Sequence, residues 1–180
     1  MGKYKKACPY RLGIDLGGTK IHAVVIDPKG RVLASARRAT QSEEGYKSVL
    51  KRLAVTAHEV AEAAGINVES LPSIGLGMPG PIDDLRGVVH LAPNLGWREC
   101  PVAADLKKLL KRPVVLGNDA NFGSLGEVTH GAGVGASSAF AAFVGTGLGG
   151  GVVLNGNLLN GLHGFAGEIG HIQAPFSDAR

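Results

Sequence analysis

Residues 11–36 read Arg11-Leu-Gly-Ile-Asp15-Leu-Gly-Gly-Thr-Lys20-Ile-His-Ala-Val-Val-Ile26-Asp-Pro-Lys-Gly30-Arg-Val-Leu-Ala-Ser-Ala36. Three short apolar runs, Arg11 to Asp15, Ile21 to Ile26 and Arg31 to Ala36, are set apart by two turn signals. The first is Leu16-Gly17-Gly18-Thr19-Lys20 and the second is Asp27-Pro-Lys-Gly30. The chain therefore opens on an antiparallel β-meander.

Downstream, Ser42-Glu43-Glu44 starts a helix that runs to about Ala64, with Val49, Leu53, Val60 and Ala64 on one face and Gly65 ending it. Ser73 to Met78 reads as an apolar strand stopped by Pro79-Gly80-Pro81. Ile82 to Leu91 suits a small hairpin around Asp83-Asp84. Val102 to Leu110 is a helix with Leu106, Leu109 and Leu110 as its stripe, and Pro113 to Leu116 is a strand. Asn118-Asp119 then caps a helix reaching about Val128. Ser138 to Val144 is a strand, Gly145–Gly151 a turn, Val152 to Leu154 a strand, and Asn155-Gly-Asn157 a hairpin turn. The order is βββαβαβα followed by a new strand–turn–strand that repeats the opening pattern. One complete unit, residues 1–118, and the start of a second, residues 119–180, are expected, in the α/β class.

Composition agrees with a globular chain. Of 180 residues, 44% are hydrophobic and 19% charged, which excludes disordered and fibrous classes. Glycine is the outlier at 28 residues, about twice its usual share, and it gathers at strand ends. No apolar run reaches about 18 residues, so no membrane span and no membrane partner are expected. The first ten residues carry lysines without an apolar core and do not make a secretory signal. Two distant cysteines, Cys8 and Cys100, outline neither a disulfide framework nor a metal cluster, which fits a cytoplasmic protein. Residues 1–60 hold twelve Lys/Arg against five Asp/Glu. The bases are scattered and aromatics are only 5%, so a nucleic-acid partner is not expected.

Two segments match the spacing of three glycines found in dinucleotide-binding loops, Gly75 to Gly80 and Gly145 to Gly150. That fingerprint needs a following helix to hold a pyrophosphate. Pro79 and Pro81 deny one after the first, and Val152-Val-Leu reads as strand after the second. The turns Gly17-Gly18-Thr19 and Gly145-Thr146-Gly147 instead each join two strands. Such turns either hold phosphate oxygens with backbone N–H groups and a Thr hydroxyl, or are ordinary hairpins. Asp15 stands just before the first turn, where a carboxylate suits Mg²⁺ held through water. Asp119 follows a strand, the end at which ligands bind in open α/β sheets, although an N-cap explains it equally. Asn118-Asp-Ala-Asn121 offers the donors and acceptors that suit a polyhydroxyl ligand. Glu168 and His171, three apart, share one helical face, or simply end a solvated helix. His163 and His171 without acid or cysteine partners make a poor metal site.

Taken together, these residues resemble the ROK family of bacterial sugar kinases and related repressors, in the actin-like ATPase (ribonuclease H-like) superfamily. Asp15-Leu-Gly-Gly-Thr-Lys20 is similar to the family's first phosphate motif. Gly77-Met-Pro-Gly80 is similar to its sugar loop, and Asn118-Asp119-Ala-Asn121 to the segment with its catalytic Asp. From Val144 to His171 the glycines at 147, 149, 151, 161, 167 and 170 fall at the family's intervals.

The resemblance implies an ATP-dependent hexokinase-type reaction, glucose being the first expectation. Asp119 would be the general base. Gly80, Asn94, Asn118, Asp119, Glu168 and His171 would bind the sugar. Asp15, Gly17, Gly18, Thr19, Lys20, Gly145, Thr146 and Gly147 would bind ATP and Mg²⁺. His171 would ligate zinc only if a Cys-rich continuation supplied three cysteines, because none follows Cys100 here. The resemblance allows a homodimer in a full-length version, and the chain reads as the N-terminal portion of such a kinase. Two alternatives stand beside it: a sugar-binding fragment without catalysis, and a regulator lacking its DNA-binding domain, since only about ten residues precede Leu12.

Overall fold

A computed structural model describes residues 8–145, 147–162 and 164–173. The chain forms two compact units, Met1–Asp119 and Ala120–Arg180.

In the first unit, β1 (Arg11–Leu16), β2 (Lys20–Ile26) and β3 (Val32–Ala39) form the expected meander. Asp15 lies opposite His22, and His22 opposite Arg37. The Asp27 turn closes on itself: its Oδ1 accepts from the N–H groups of Lys29 and Arg31 at 2.8 and 3.0 Å. Ser42–Glu44 makes only a 3₁₀ turn, and α1 spans Tyr46–Ala63. The helix starts later than expected because Gly45 (φ 84°) interrupts it with a left-handed backbone.

β4 (Ile74–Met78) returns parallel to β1. Next comes a small separate sheet of β5 (Ile82–Asp83), β6 (Val88–Ala92) and β7 (Trp97–Cys100). β7 was not anticipated. It extends the expected hairpin to three strands, with Ala92 opposite Trp97. Then α2 (Val102–Leu110) leads to β8 (Val114–Asn118), parallel to β4. The main sheet has the order β3-β2-β1-β4-β8.

The core follows from period-two and helical-period patterning. Leu12, Ile14 and Leu16 of β1, Ile21, Ala23 and Val25 of β2, and Ile74 and Leu76 of β4 are buried in one cluster with Val49, Leu53 and Val60 of α1. On α2 the buried stripe is Val102, Leu106 and Leu110, spaced four apart, while Leu109 is 42% exposed. Leu109 is therefore a correction to the expected stripe. It stands about 100° from Leu110 around the helix and falls off the inward face.

The second unit holds most of α3 (Asp119–His130), then β9 (Ala139–Val144), β10 (Leu148–Leu154) and β11 (Asn157–Leu158) in a three-stranded antiparallel sheet. The expected turn 145–151 is shorter, because Leu148 to Gly151 already belong to β10. Their glycines serve close packing instead. A Cβ on Gly151 would stand 2.3 Å from Ser124 Oγ of α3, and one on Gly150 would stand 2.7 Å from the Gly167 carbonyl oxygen. Phe140 and Val144 of β9 are exposed. Among the described residues no helix is long and apolar enough to cross a membrane.

The corrected stripe on α2 can be tested by paired truncation. Leu106→Ala should lose about 2–5 kcal/mol of unfolding free energy. Leu109→Ala should lose well under about 1 kcal/mol. Urea denaturation of the two variants decides this, and equal losses would refute the assignment.

Candidate functional site

In the first unit the parallel register sets three chain segments side by side. Asp15 of β1 is level with Gly77 of β4, and Gly77 with Gly117 of β8. One step further, Met78 is level with Asn118. All three strands run the same way. Their carboxyl ends therefore release the Gly17–Lys20 turn, the Gly80 loop and the Asn118-Asp119 corner at one end of the sheet, where open α/β sheets bind ligands.

The charge at this end is unusual. Asp15 is partly solvated, yet loss of hydration at the sheet end raises its carboxyl above the ordinary range. The Asp119 carboxylate pushes the same way, while His22 and Lys20 oppose it. Two carboxylates that repel each other are costly for a fold and useful for holding a divalent cation.

The first glycine turn is closed tightly. Gly17 N–H donates to the Lys20 carbonyl oxygen at 2.9 Å. That N–H is spent within the turn, so a phosphate role for this turn rests on Gly18 and Thr19. Gly18 faces Asn94: a Cβ there would stand 3.2 Å from Asn94 Cβ. Asn94, on the 3₁₀ turn Pro93–Leu95, is thereby placed beside the turn expected to bind ATP. Gly80 has φ 108°, and a Cβ there would meet the Leu91 carbonyl oxygen at 2.2 Å. Only glycine fits, because the loop lies directly on the small sheet.

In the second unit Gly145 N–H donates to the Gly147 carbonyl oxygen at 2.9 Å, closing that turn too. Thr146, like His163, lies outside the described residues. Glu168 precedes the 3₁₀ turn Ile169–His171, and its Oε2 lies 3.9 Å from His171 Nε2. The two side chains are thus neighbours on a tight turn rather than on an α-helix. A Cβ on Gly167 or Gly170 would meet the carbonyl oxygens of Gly150 and Leu148 at 2.8 and 2.2 Å. These glycines let the segment bearing Glu168 and His171 lie flat on β10. No cluster of three His, Cys, Asp or Glu side chains able to hold a metal occurs among the described residues, His171 included.

Sequence reasoning passed over two residues here. His22 stands beside Asp15 across the strand pair, and Thr40 grips the first turn. The Asp15–His22 pairing was implicit in the tight turn, which fixes register. Nothing in the sequence marked Thr40.

The carboxyl shift gives a pH test. With its folded value above the unfolded one, Asp15 costs nothing in its protonated form and destabilises as pH rises through the carboxylate range. Asp15→Asn should match the parent's stability at about pH 3.5 and exceed it at neutral pH. Denaturation midpoints at the two pH values check this; a neutral-pH loss would contradict it.

Comparison with known proteins agrees with this architecture. Residues 11–180 match the ROK family. The chain is 38% identical over 161 residues to a glucokinase of Halalkalibacterium halodurans, covering 89% of this chain and 49% of the relative. It is 34% identical over 167 residues to a xylose repressor of Caldicellulosiruptor bescii, covering 93% of this chain and 42% of the relative. Its fold superposes with TM-score 0.82 on a ROK hexokinase from Thermus thermophilus, 42% identical, over 92% of this chain and 53% of that one. The same score relates it to a ROK glucokinase from Streptomyces griseus in complex with glucose and AMPPNP, 35% identical, over 92% and 51%. The chain spans about half the length of the curated relatives it matches.

Proposed function

This chain belongs to the ROK family and has the actin-like ATPase fold, and on that premise we propose that it carries the phosphoryl-transfer half-site of an ATP-dependent hexose kinase, with glucose as the sugar. The observation that supports the reading best is the pair of acids at the carboxyl ends of β1 and β8, Asp15 with its raised carboxyl and Asp119 beside it.

Phosphoryl transfer asks a protein mainly for positioning and charge stabilisation. The residues present fit that demand. Asp119 accepts the proton of the attacking sugar hydroxyl as its oxygen bonds to the terminal phosphorus and the bond to ADP breaks. Asn118, Asn94 and the Gly80 loop orient the sugar, and Glu168 and His171 are assigned to the same task from the family motif. Asp15 holds Mg²⁺ through water. Gly18, Thr19 and Lys20 meet the phosphates, and Gly145, Thr146 and Gly147 are assigned to the same task from the family motif. The absence of a Cβ at Gly18 lets Asn94 lie close against the turn. Bound Mg²⁺ supplies neutralisation of phosphate charge. The two units are read as the first subdomain and the beginning of the second.

The xylose repressor among the relatives favours a second reading, a sugar-responsive regulator. Production of ADP that depends on sugar separates the two, measured on the protein at its full natural length.

In that protein Asp119→Asn should lower kcat by about 10²–10⁴ with little change in sugar affinity. Activity within about threefold of the parent would remove Asp119 from the base role. Glu168→Gln keeps shape and deletes charge, so it should raise KM for sugar by about tenfold or more while KM for ATP holds. A change confined to ATP would move Glu168 to the nucleotide side.

A further inference from the structure

The turn that follows β1 is gripped from behind by a buried polar residue. Thr40 comes directly after β3 and is fully buried. Its Oγ1 donates to the Gly17 carbonyl oxygen at 2.8 Å. Its backbone N–H donates to the Thr19 carbonyl oxygen at 2.9 Å. One residue thus holds both sides of Gly18, the position whose missing Cβ leaves room against Asn94. After Thr40 the chain leaves the sheet through Gln41, which has φ 52° and ψ 56°. Buried hydroxyls are kept where they satisfy a specific partner. Here the partner is a carbonyl in a glycine turn, which would otherwise be among the most adaptable stretches of backbone.

We propose that Thr40 is a positioning residue for nucleotide binding: its hydroxyl and amide fix the Gly17–Lys20 turn in the one conformation that presents Gly18 and Thr19 to the phosphates. The inference rests on the kinase reading above and deepens it. Because a trans peptide sets its N–H opposite its C=O, drawing the Gly17 carbonyl to Thr40 turns the Gly18 N–H away from Thr40, and the hold on the Thr19 carbonyl fixes the other end of the turn. The turn's geometry is set before any ligand arrives, which lowers the ordering cost of binding.

The test uses the protein at its full natural length, with a non-hydrolysable ATP analogue plus Mg²⁺, and glucose, titrated separately by calorimetry. Thr40→Val keeps shape and removes the hydroxyl; Thr40→Ala removes it with a smaller side chain; Thr40→Ser retains it. Valine keeps the packing and alanine reduces it, so an effect common to both belongs to the hydroxyl. Both should weaken analogue binding by about three- to tenfold, the range of one lost hydrogen bond, and leave glucose binding within about twofold. Thr40→Ser should restore analogue binding to near the parent. Equal weakening of both ligands, or a serine variant as weak as valine, would mean that Thr40 only supports the fold and would overturn the proposal. So would alanine or valine variants that bind the analogue like the parent. A parent that binds neither glucose nor nucleotide overturns the kinase reading itself, and the inference with it.

Discussion

β1 is the strand on which the first unit depends. It is hydrogen-bonded to an antiparallel neighbour on one side and a parallel one on the other. Its alternation sends Leu12, Ile14 and Leu16 into the core and leaves Gly13 and Asp15 on the opposite face. Because β-strand side chains have a period of two, one residue of slippage would exchange these sets. The same pairing that buries the leucines therefore fixes where Asp15 emerges. It also fixes which residues of β4 and β8 stand level with it. Core formation and site formation in this unit are one event.

Backbone proximity organises the second unit. Its sheet offers little apolar volume on β10, where Leu148 is followed by three glycines. In place of interlocking side chains, main chain lies against main chain. Gly150 meets the backbone of Gly167, Gly170 meets that of Leu148, and Gly151 lies against the Ser124 side chain of α3. Such contacts are narrow and tolerate no added carbon, which makes the segment carrying Glu168 and His171 depend on glycines that do no chemistry.

The chemistry proposed for this family member uses groups the fold makes uncomfortable. Asp15 gives up hydration and faces a second carboxylate, with Lys20 and His22 as partial compensation. A fold that retains such a pair at the end of its central strands stores a cost that a bound cation can relieve. The neighbouring turn meets the opposite demand. Its flexible glycines are held by hydrogen bonds to Thr40 and to Lys20.

The sequence by itself determined the order of the main-sheet strands and their helices, the antiparallel opening, and the placement of Asp15, Gly80 and Asp119 at strand ends. Turn chemistry and hydrophobic period are local properties, written in neighbouring residues. Membership of the family was legible for the same reason, since its motifs lie within short stretches. Tertiary structure alone decided the rest. Leu109 and Leu110 are equally apolar, and only the direction of the facing sheet exposes one of them. Gly149 to Gly151 look like a turn until α3 and Gly167 crowd β10, so that their lack of side chains serves contact rather than bending. Residues 97–100 carry no strand signal of their own and become β7 by pairing with β6. Thr40 is an ordinary threonine in the sequence. It acquires a role because β3 ends beside a turn 23 residues earlier in the chain, and the partners of a buried hydroxyl are chosen by the packed fold, not by its neighbours in sequence.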